Sequence, residues 1–238
     1  MRYLLFAALF FACGPAFPQQ KTVHFNTPDG CRLEAFYLAP SSGSYIFINA
    51  HGLGSDKNEW GPLQDKLKGA GYGYLSLDLR GHGKSRTCKG KETKYMFFSE
   101  ADWNNVSLDI EAAAAWLKKR GFRQDRMVFC GASVGANLVL KAAAAGTLKP
   151  AALVLLSPGL EYAGVKTEKY FSEPRDFQIL SVAARNDVYA WESVLRLNRA
   201  AMQRGLSAYS LEAASGHGVG MFKTPSLIPA IISWVGGK

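Results

Sequence analysis

The chain has 238 residues, 48% hydrophobic and 20% charged, a globular composition whose length fits one larger α/β domain better than two complete ones. Part of its net charge of +9 is concentrated in "KSRTCKGKETK" (84–94) and "KKRGFRQDR" (118–126). No helix-turn-helix, zinc or base-stacking pattern accompanies that charge, which argues against nucleic acid as a partner. The cysteines at 13, 31, 88 and 130 match no zinc or redox spacing, so a metal site is not expected; no cofactor is expected either.

The chain opens with "MRYLLFAALFFAC", in which Arg2 precedes an unbroken apolar run from Tyr3 to Cys13. About eleven residues are too few to cross a bilayer that needs about 20, but they suit the apolar region of a secretory signal over residues 1–16. Two cleavage points are open. Gly14-Pro15-Ala16 is a small-x-small site, while "FFAC" resembles the lipobox of bacterial lipoproteins, with Phe10 where that box usually has Leu. The expected location is thus secreted, or periplasmic and cell-envelope with an anchor through Cys13. With the basic segments, it makes an anionic membrane or envelope surface a candidate partner. Cys31 and Cys88 could pair in an oxidising compartment, and Cys130 reads as a small buried core residue.

Residues 21–238 read as one domain. "KTVHFNTPDGCRLEAFYLAP" gives two strands around a Pro28-Asp29-Gly30 turn. "YIFINAHG", "YGYLSLDLR", "RMVFCGAS", "AALVLLSPG", "FQILSVAARND" and "SAYSLEAAS" follow as strand candidates, mostly separated by helical segments. Several are nearly continuous apolar runs, as strands covered on both faces require. Before Arg126, Trp103, Val106, Ile110, Ala113 and Leu117 recur at helical spacing, which puts Asp109 and Lys118 toward the other face. The expected fold is α/β: a mostly parallel, doubly wound sheet of about eight strands, helices on both faces, and an antiparallel N-terminal edge. Ligands of such sheets bind beyond the carboxyl ends of the strands.

Gly131-Ala132-Ser133-Val134-Gly135 stands between the strand "RMVFC" and the helix "ANLVLKAAAAG", where a nucleophilic serine on a sharp turn belongs. Glycines at 131 and 135 remove side chains that would collide with the neighbouring strand and helix. A serine hydroxyl needs a base and a group to orient that base. Of the histidines, only His217 is both late in the chain and at a carboxyl strand end. Asp187 in "AARNDVYA" is the matching acid, with Glu161 in reserve. In "NAHGLGSDKNEW" a Gly-rich loop follows a strand, and its Leu53 N–H together with the Val134 N–H suits a developing oxyanion. His51, His82 and Asp78 read as structural.

The set "HGLGS", "DLRGHGKS", "GASVG", "RND" and "GHG" resembles the α/β-hydrolase family from about Val23 to Trp234. The resemblance implies Ser133 as nucleophile, His217 as general base and then acid, Asp187 as orienting acid, and Leu53 with Val134 as the oxyanion hole. The expected activity is hydrolysis of carboxylic esters or related acyl compounds, with a small acyl molecule as substrate. Acyl transfer, or attack on a thioester, lactone or amide, would use the same triad, and a non-enzymatic envelope module is the remaining alternative. Only "LEYAGVKTEKYFSEPR" stands where larger members carry a cap domain, so the pocket should be open. Its walls are expected from Tyr162, Tyr170 and Phe171, and from Tyr95, Met96, Phe97, Phe98 and Trp103.

Overall fold

Strands that are apolar at every position need cover on both faces, and the chain order supplies it. In the computed structural model, which describes residues 18–173 and 176–238, β1 (Lys21–Asn26) and β2 (Cys31–Leu38) form an antiparallel pair. Then come β3 (Ile46–Ala50), α1 (Gly61–Gly69) and β4 (Gly73–Leu77). A short hairpin, β5 (Thr87–Cys88) and β6 (Lys91–Glu92), precedes α2 (Glu100–Asn105) and α3 (Ser107–Lys118). The second half runs β7 (Met127–Ala132), α4 (Val134–Ala144), β8 (Ala152–Leu156), a hairpin of β9 (Glu161–Tyr162) and β10 (Val165–Lys166), and α5 (Glu168–Phe171). It closes with β11 (Gln178–Ala184), α6 (Val188–Met202), β12 (Tyr209–Ala213) and α7 (Leu227–Gly236). The expected signal segment, with Cys13 and Gly14-Pro15-Ala16, lies outside the described residues.

The main sheet has the order β12-β11-β8-β7-β3-β4-β2-β5-β6, with β1 also on β2. From β12 to β4 every pair is parallel; β2 and its neighbours are antiparallel. Alternate residues face opposite cores. In β3 and β7, Ile46, Ile48, Met127 and Phe129 pack with α3 and α4, whereas Phe47, Val128 and Cys130 pack with Leu63 and Leu67 of α1 and Leu227 and Ile231 of α7. This is the expected doubly wound α/β sheet, and Cys130 is fully buried as read. The β5–β6 hairpin extends it beyond the eight expected strands.

Because β2 is antiparallel to β4, pairing Ala35 with Leu77 and Leu38 with Tyr74, its first residue, Cys31, lies at the carboxyl end of the parallel strands. There Cys31 pairs with Cys88 of β5 and is joined to it by a disulfide. The basic segment 84–94 is therefore partly ordered as a sheet edge.

Two expectations about the helix before Arg126 need correction. The helix is split at Val106, where the Ser107 hydroxyl donates to the Asn104 carbonyl at 3.1 Å and the Asp109 N–H reaches back only to Val106 at 2.9 Å, contacts that tighten a turn. Asp109 does not face solvent. It is fully buried and holds the Arg80 backbone N–H and Nε, each at 2.7 Å, while the other nitrogens of Arg80 grip Asp29 at 2.5 and 2.9 Å. A guanidinium from another loop supplies what periodicity cannot reveal.

The disulfide closes 57 residues of chain, which in the loop-entropy picture is worth about 4 kcal/mol. The Cys31→Ser/Cys88→Ser protein should accordingly unfold at lower denaturant by up to about that amount, as equilibrium urea titration would measure.

Candidate active site

The serine turn is set by backbone contact. A Cβ on Gly131 would lie 2.3 Å from the Gly135 carbonyl oxygen, and one on Gly135 would lie 2.2 Å from that of Ala50; real atoms do not approach so closely. With both positions reduced to glycine, β7 turns directly into α4 against the end of β3, and Ser133 takes φ 55°, ψ −122°. Such a conformation is strained for a residue with a Cβ. The hydroxyl does not cap α4.

His217 and Asp187 meet across two loops. Nδ1 of His217 lies 2.7 Å from Oδ2 of Asp187, leaving Nε2 as the other ring nitrogen. Asp187 begins α6 without capping it through its side chain. The reserve acid Glu161 lies in the β9–β10 hairpin with Lys166 Nζ at 3.9 Å, and Asp187 holds the place beside the imidazole. The histidine loop is fastened by groups with no sequence motif. Asn186 Oδ1 accepts the Gly216 N–H at 3.1 Å, and Ser157 Oγ accepts the Gly218 N–H at 2.9 Å. Ser157 is itself buried with φ 50° at the end of β8.

The oxyanion loop follows the same logic. Glu59 Oε1 accepts the Gly52 N–H at 3.0 Å, and the Ser55 N–H donates to the Gly52 carbonyl at 3.2 Å. The next N–H, that of Leu53, and the N–H of Val134 at the start of α4 donate to no acceptor among the described residues. Burial raises the Glu59 carboxyl above the usual carboxylate range. Glu59 was not anticipated, because in "SDKNEW" it looks like one more solvated polar residue.

His51 and His82 are structural, as expected. His51 is fully buried; its Nδ1–H donates to the Gly52 carbonyl at 2.7 Å and its Nε2 accepts the Leu79 N–H at 3.0 Å. Burial, with His82 close by, lowers its pKa to about 3. His82 donates to the Arg80 carbonyl at 3.0 Å and stacks on Tyr95 at 4.1 Å. Buried Asp78 holds Lys57 through both its Nζ, at 2.7 Å, and its backbone N–H, at 2.8 Å, and takes the Lys84 N–H at 2.7 Å.

Ser133, Val134, His217, Leu53 and Glu59 line one cleft of about 420 Å3, within the range of small-ligand sites. Of the expected walls only Tyr162 lines it. Tyr170 belongs to a separate cleft with Leu148 and Phe177, Phe171 and Trp103 are buried in the core, and Phe98 packs on Trp103. Met96 and Phe97 are 67% and 81% exposed. These aromatics lie in sequence near the pocket-forming loops, but core packing claims most of them.

Residues 43–204 match the family described as serine aminopeptidase, S33. The chain belongs to that family, within the α/β-hydrolases. It is therefore a hydrolase of the α/β-hydrolase superfamily. Similar solved structures include an esterase from Pyrococcus furiosus (TM-score 0.75, 17% identity, 92% of this chain and 90% of that one). Est1E from Butyrivibrio proteoclasticus, bound to ferulic acid, is another (0.70, 17%, 91% and 100%). A third is dienelactone hydrolase from Anabaena variabilis (0.65, 19%, 92% and 95%). No curated protein sequence matches the chain. At these identities the likeness concerns the fold.

His51 gives this α/β-hydrolase a predictable acid sensitivity. Its folded pKa lies below its unfolded value of about 6.5, so the unfolded chain binds the extra proton and stability falls as pH drops from about 6.5 toward about 3. By pH 4.5 the loss due to this one group should reach about 2–3 kcal/mol. His51→Gln, which has no proton to take up, should show a shallower fall between pH 7.5 and 4.5 in urea titrations; equal slopes would contradict the assignment.

Proposed function

We propose that this protein hydrolyses carboxylic esters or related acyl compounds through an acyl-enzyme on Ser133. The observation that carries the reading is the His217–Asp187 pair at 2.7 Å, whose histidine lines one cleft with Ser133, Leu53 and Val134, the last two with backbone N–H groups that have no acceptor among the described residues. His217 Nε2 takes the proton as Ser133 Oγ attacks the carbonyl carbon. Asp187 holds the ring and stabilises its imidazolium. The carbonyl oxygen, now an anion, receives the Leu53 and Val134 N–H groups. The alcohol leaves with the proton from His217, and water then repeats the sequence on the acyl-serine. Likeness to an esterase fold supports an ester as substrate.

Ser133→Ala should reduce hydrolysis of a short-chain nitrophenyl ester by about 10⁴-fold or more, since the three side chains work as a unit. A fluorophosphonate should label the wild-type serine and leave the variant unlabelled. Substantial turnover by the variant would refute the mechanism.

We further propose that the enzyme works outside the cytosol, secreted or in the cell envelope, against an anionic surface. The Cys31–Cys88 disulfide suits an oxidising compartment. Leu53, Met96 and Phe97 are 58%, 67% and 81% exposed, and the Tyr95 hydroxyl comes within 3.1 Å of where a Gly54 side chain would begin. Leu53 lines the cleft, and Tyr95, next to Met96 and Phe97 in the chain, stands against the loop that carries Leu53. Beside them the exposed Lys84, Arg86, Lys89 and Lys91 have no ion-pair partner among the described residues, whereas Lys94 pairs with Glu92 at 3.1 Å. Cations and apolar tips together suit an anionic lipid surface. Vesicles containing phosphatidylglycerol should co-sediment the protein lacking residues 1–16, and Met96→Ser/Phe97→Ser or glutamates at 84, 86, 89 and 91 should each abolish this. Equal binding to neutral vesicles would refute the electrostatic part.

A further inference from the structure

Tyr162 lines the cleft and carries a hydroxyl donor that no described residue takes up. Its hydroxyl oxygen is buried and has no aligned hydrogen-bond partner among the described residues, although Ser133 stands close enough to lower the phenol's pKa through its own side chain. A buried donor left unpaired is unfavourable unless something else takes it up.

The placement of this hydroxyl is well determined. The ring lies over Gly159, where a Cβ would come within 2.6 Å of it, and edge-on to Tyr189 with centroids 5.5 Å apart. The Tyr189 hydroxyl accepts the Glu161 N–H at 3.0 Å and donates to the Glu161 carbonyl at 2.9 Å. Asn137 of α4 ties both ends of the hairpin, accepting the Gly159 N–H at 3.2 Å and donating to the Val165 carbonyl at 2.8 Å. The helix that begins at the serine therefore also holds the segment that carries the tyrosine.

Sheet order determines which side of the reaction Tyr162 serves. Ser133 follows β7, which lies between β3 and β8. The Leu53 loop leaves β3 on one side; Tyr162 follows β8 on the other, toward β12 and His217. The rings of Tyr162 and His217 are nearly perpendicular, at 87°, with centroids 6.2 Å apart. In a tetrahedral adduct whose anionic oxygen points at Leu53 and Val134, the departing oxygen points at His217. We infer that the Tyr162 hydroxyl donates a hydrogen bond to this departing oxygen, and so fits the site to esters of poor, alkyl-type leaving groups.

As the acyl–oxygen bond breaks, its electron pair passes to the departing oxygen, which takes its proton from His217 Nε2. Tyr162 keeps its own proton and shares in the charge only while the bond breaks. Burial, then the nearby Asp187, raises the phenol's pKa, so the donor is present throughout the working pH range. The benefit grows with the charge on the departing oxygen: large for an alkoxide, small for a nitrophenolate that carries its charge unaided.

This inference rests on the proposed acyl-enzyme mechanism, and its test separates the two. Tyr162→Phe removes only the unpaired hydroxyl, so the melting temperature and the rate of fluorophosphonate labelling should stay at wild-type values. For one acyl group, kcat/KM should fall about 10–100-fold with the ethyl ester and less than about threefold with the nitrophenyl ester. Equal losses with the two esters, or no loss with either, would overturn the role of Tyr162 alone. Labelling slowed as much as turnover would also overturn it, since the hydroxyl would then be supporting the triad. Ethyl and nitrophenyl esterase activity that survives Ser133→Ala would instead overturn the mechanism on which the inference stands.

Discussion

One contact organises the functional end of this molecule: the backbone of residues 131–136 pressed against the backbone at the end of β3. It brings the Gly135 α-carbon so near the carbonyls of Ala50 and His51 that no side chain fits there. Two consequences follow from it. The chain must reverse from strand to helix within one residue, which forces Ser133 to a positive φ and thrusts its side chain out of the turn. The same contact lays the loop that continues from β3, beginning at Gly52 and Leu53, directly beside the serine. The proposed nucleophile and oxyanion donors are thereby positioned by a single piece of steric packing. Their mutual geometry does not depend on the longer loops.

Those longer loops are held differently, by buried charge. Lys57, just after the oxyanion loop, is clamped by Asp78 and Glu34 at 2.7 and 2.9 Å, and Arg80 is clamped between Asp29 and Asp109. Burying ion pairs contributes little net stability, because desolvation offsets attraction. What it contributes is placement, since each partner has one position in which its charge is satisfied. The pairs link the N-terminal turn, the loop after β4 and helix α3 into a common support under the site. Through Glu34 of β2, which also holds Lys57, the edge strand is tied to the loop that follows β3.

Much of this could be read from the sequence, and the reason is local. Strand ends, glycines at the turn and the chain order of serine, aspartate and histidine are properties of short segments, so Ser133, Asp187 and His217 could be picked out and the structure brings the last two together. The role expected of His51 was equally legible, because a histidine inside a Gly-flanked loop after a strand has backbone groups to satisfy. What escaped notice depends on partners far along the chain. Asp109 looked like a surface residue because its partner Arg80 is 29 positions away. Ser157 and Glu59 carry no motif, and each matters through one backbone N–H that it holds. The pocket walls failed for the opposite reason: aromatic residues are numerous near the loops, and composition does not say which ones the core will take.

The short segment between β8 and β11 then acquires a meaning beyond the lack of a cap. A large cap would enclose a substrate and recognise all of it; this segment offers a two-stranded hairpin, one turn of helix and, at the cleft, Tyr162 and Ala163. Ala163 has φ 51° and Gly164 φ 78°, so the hairpin turns tightly and presents little surface of its own. Recognition by size is therefore weak on this side, and discrimination has to come from the few polar groups that face the reacting bond. On the proposed mechanism, an open cleft with fixed donors on both sides of the serine would select for the chemistry of the ester linkage more than for the bulk of what is attached to it.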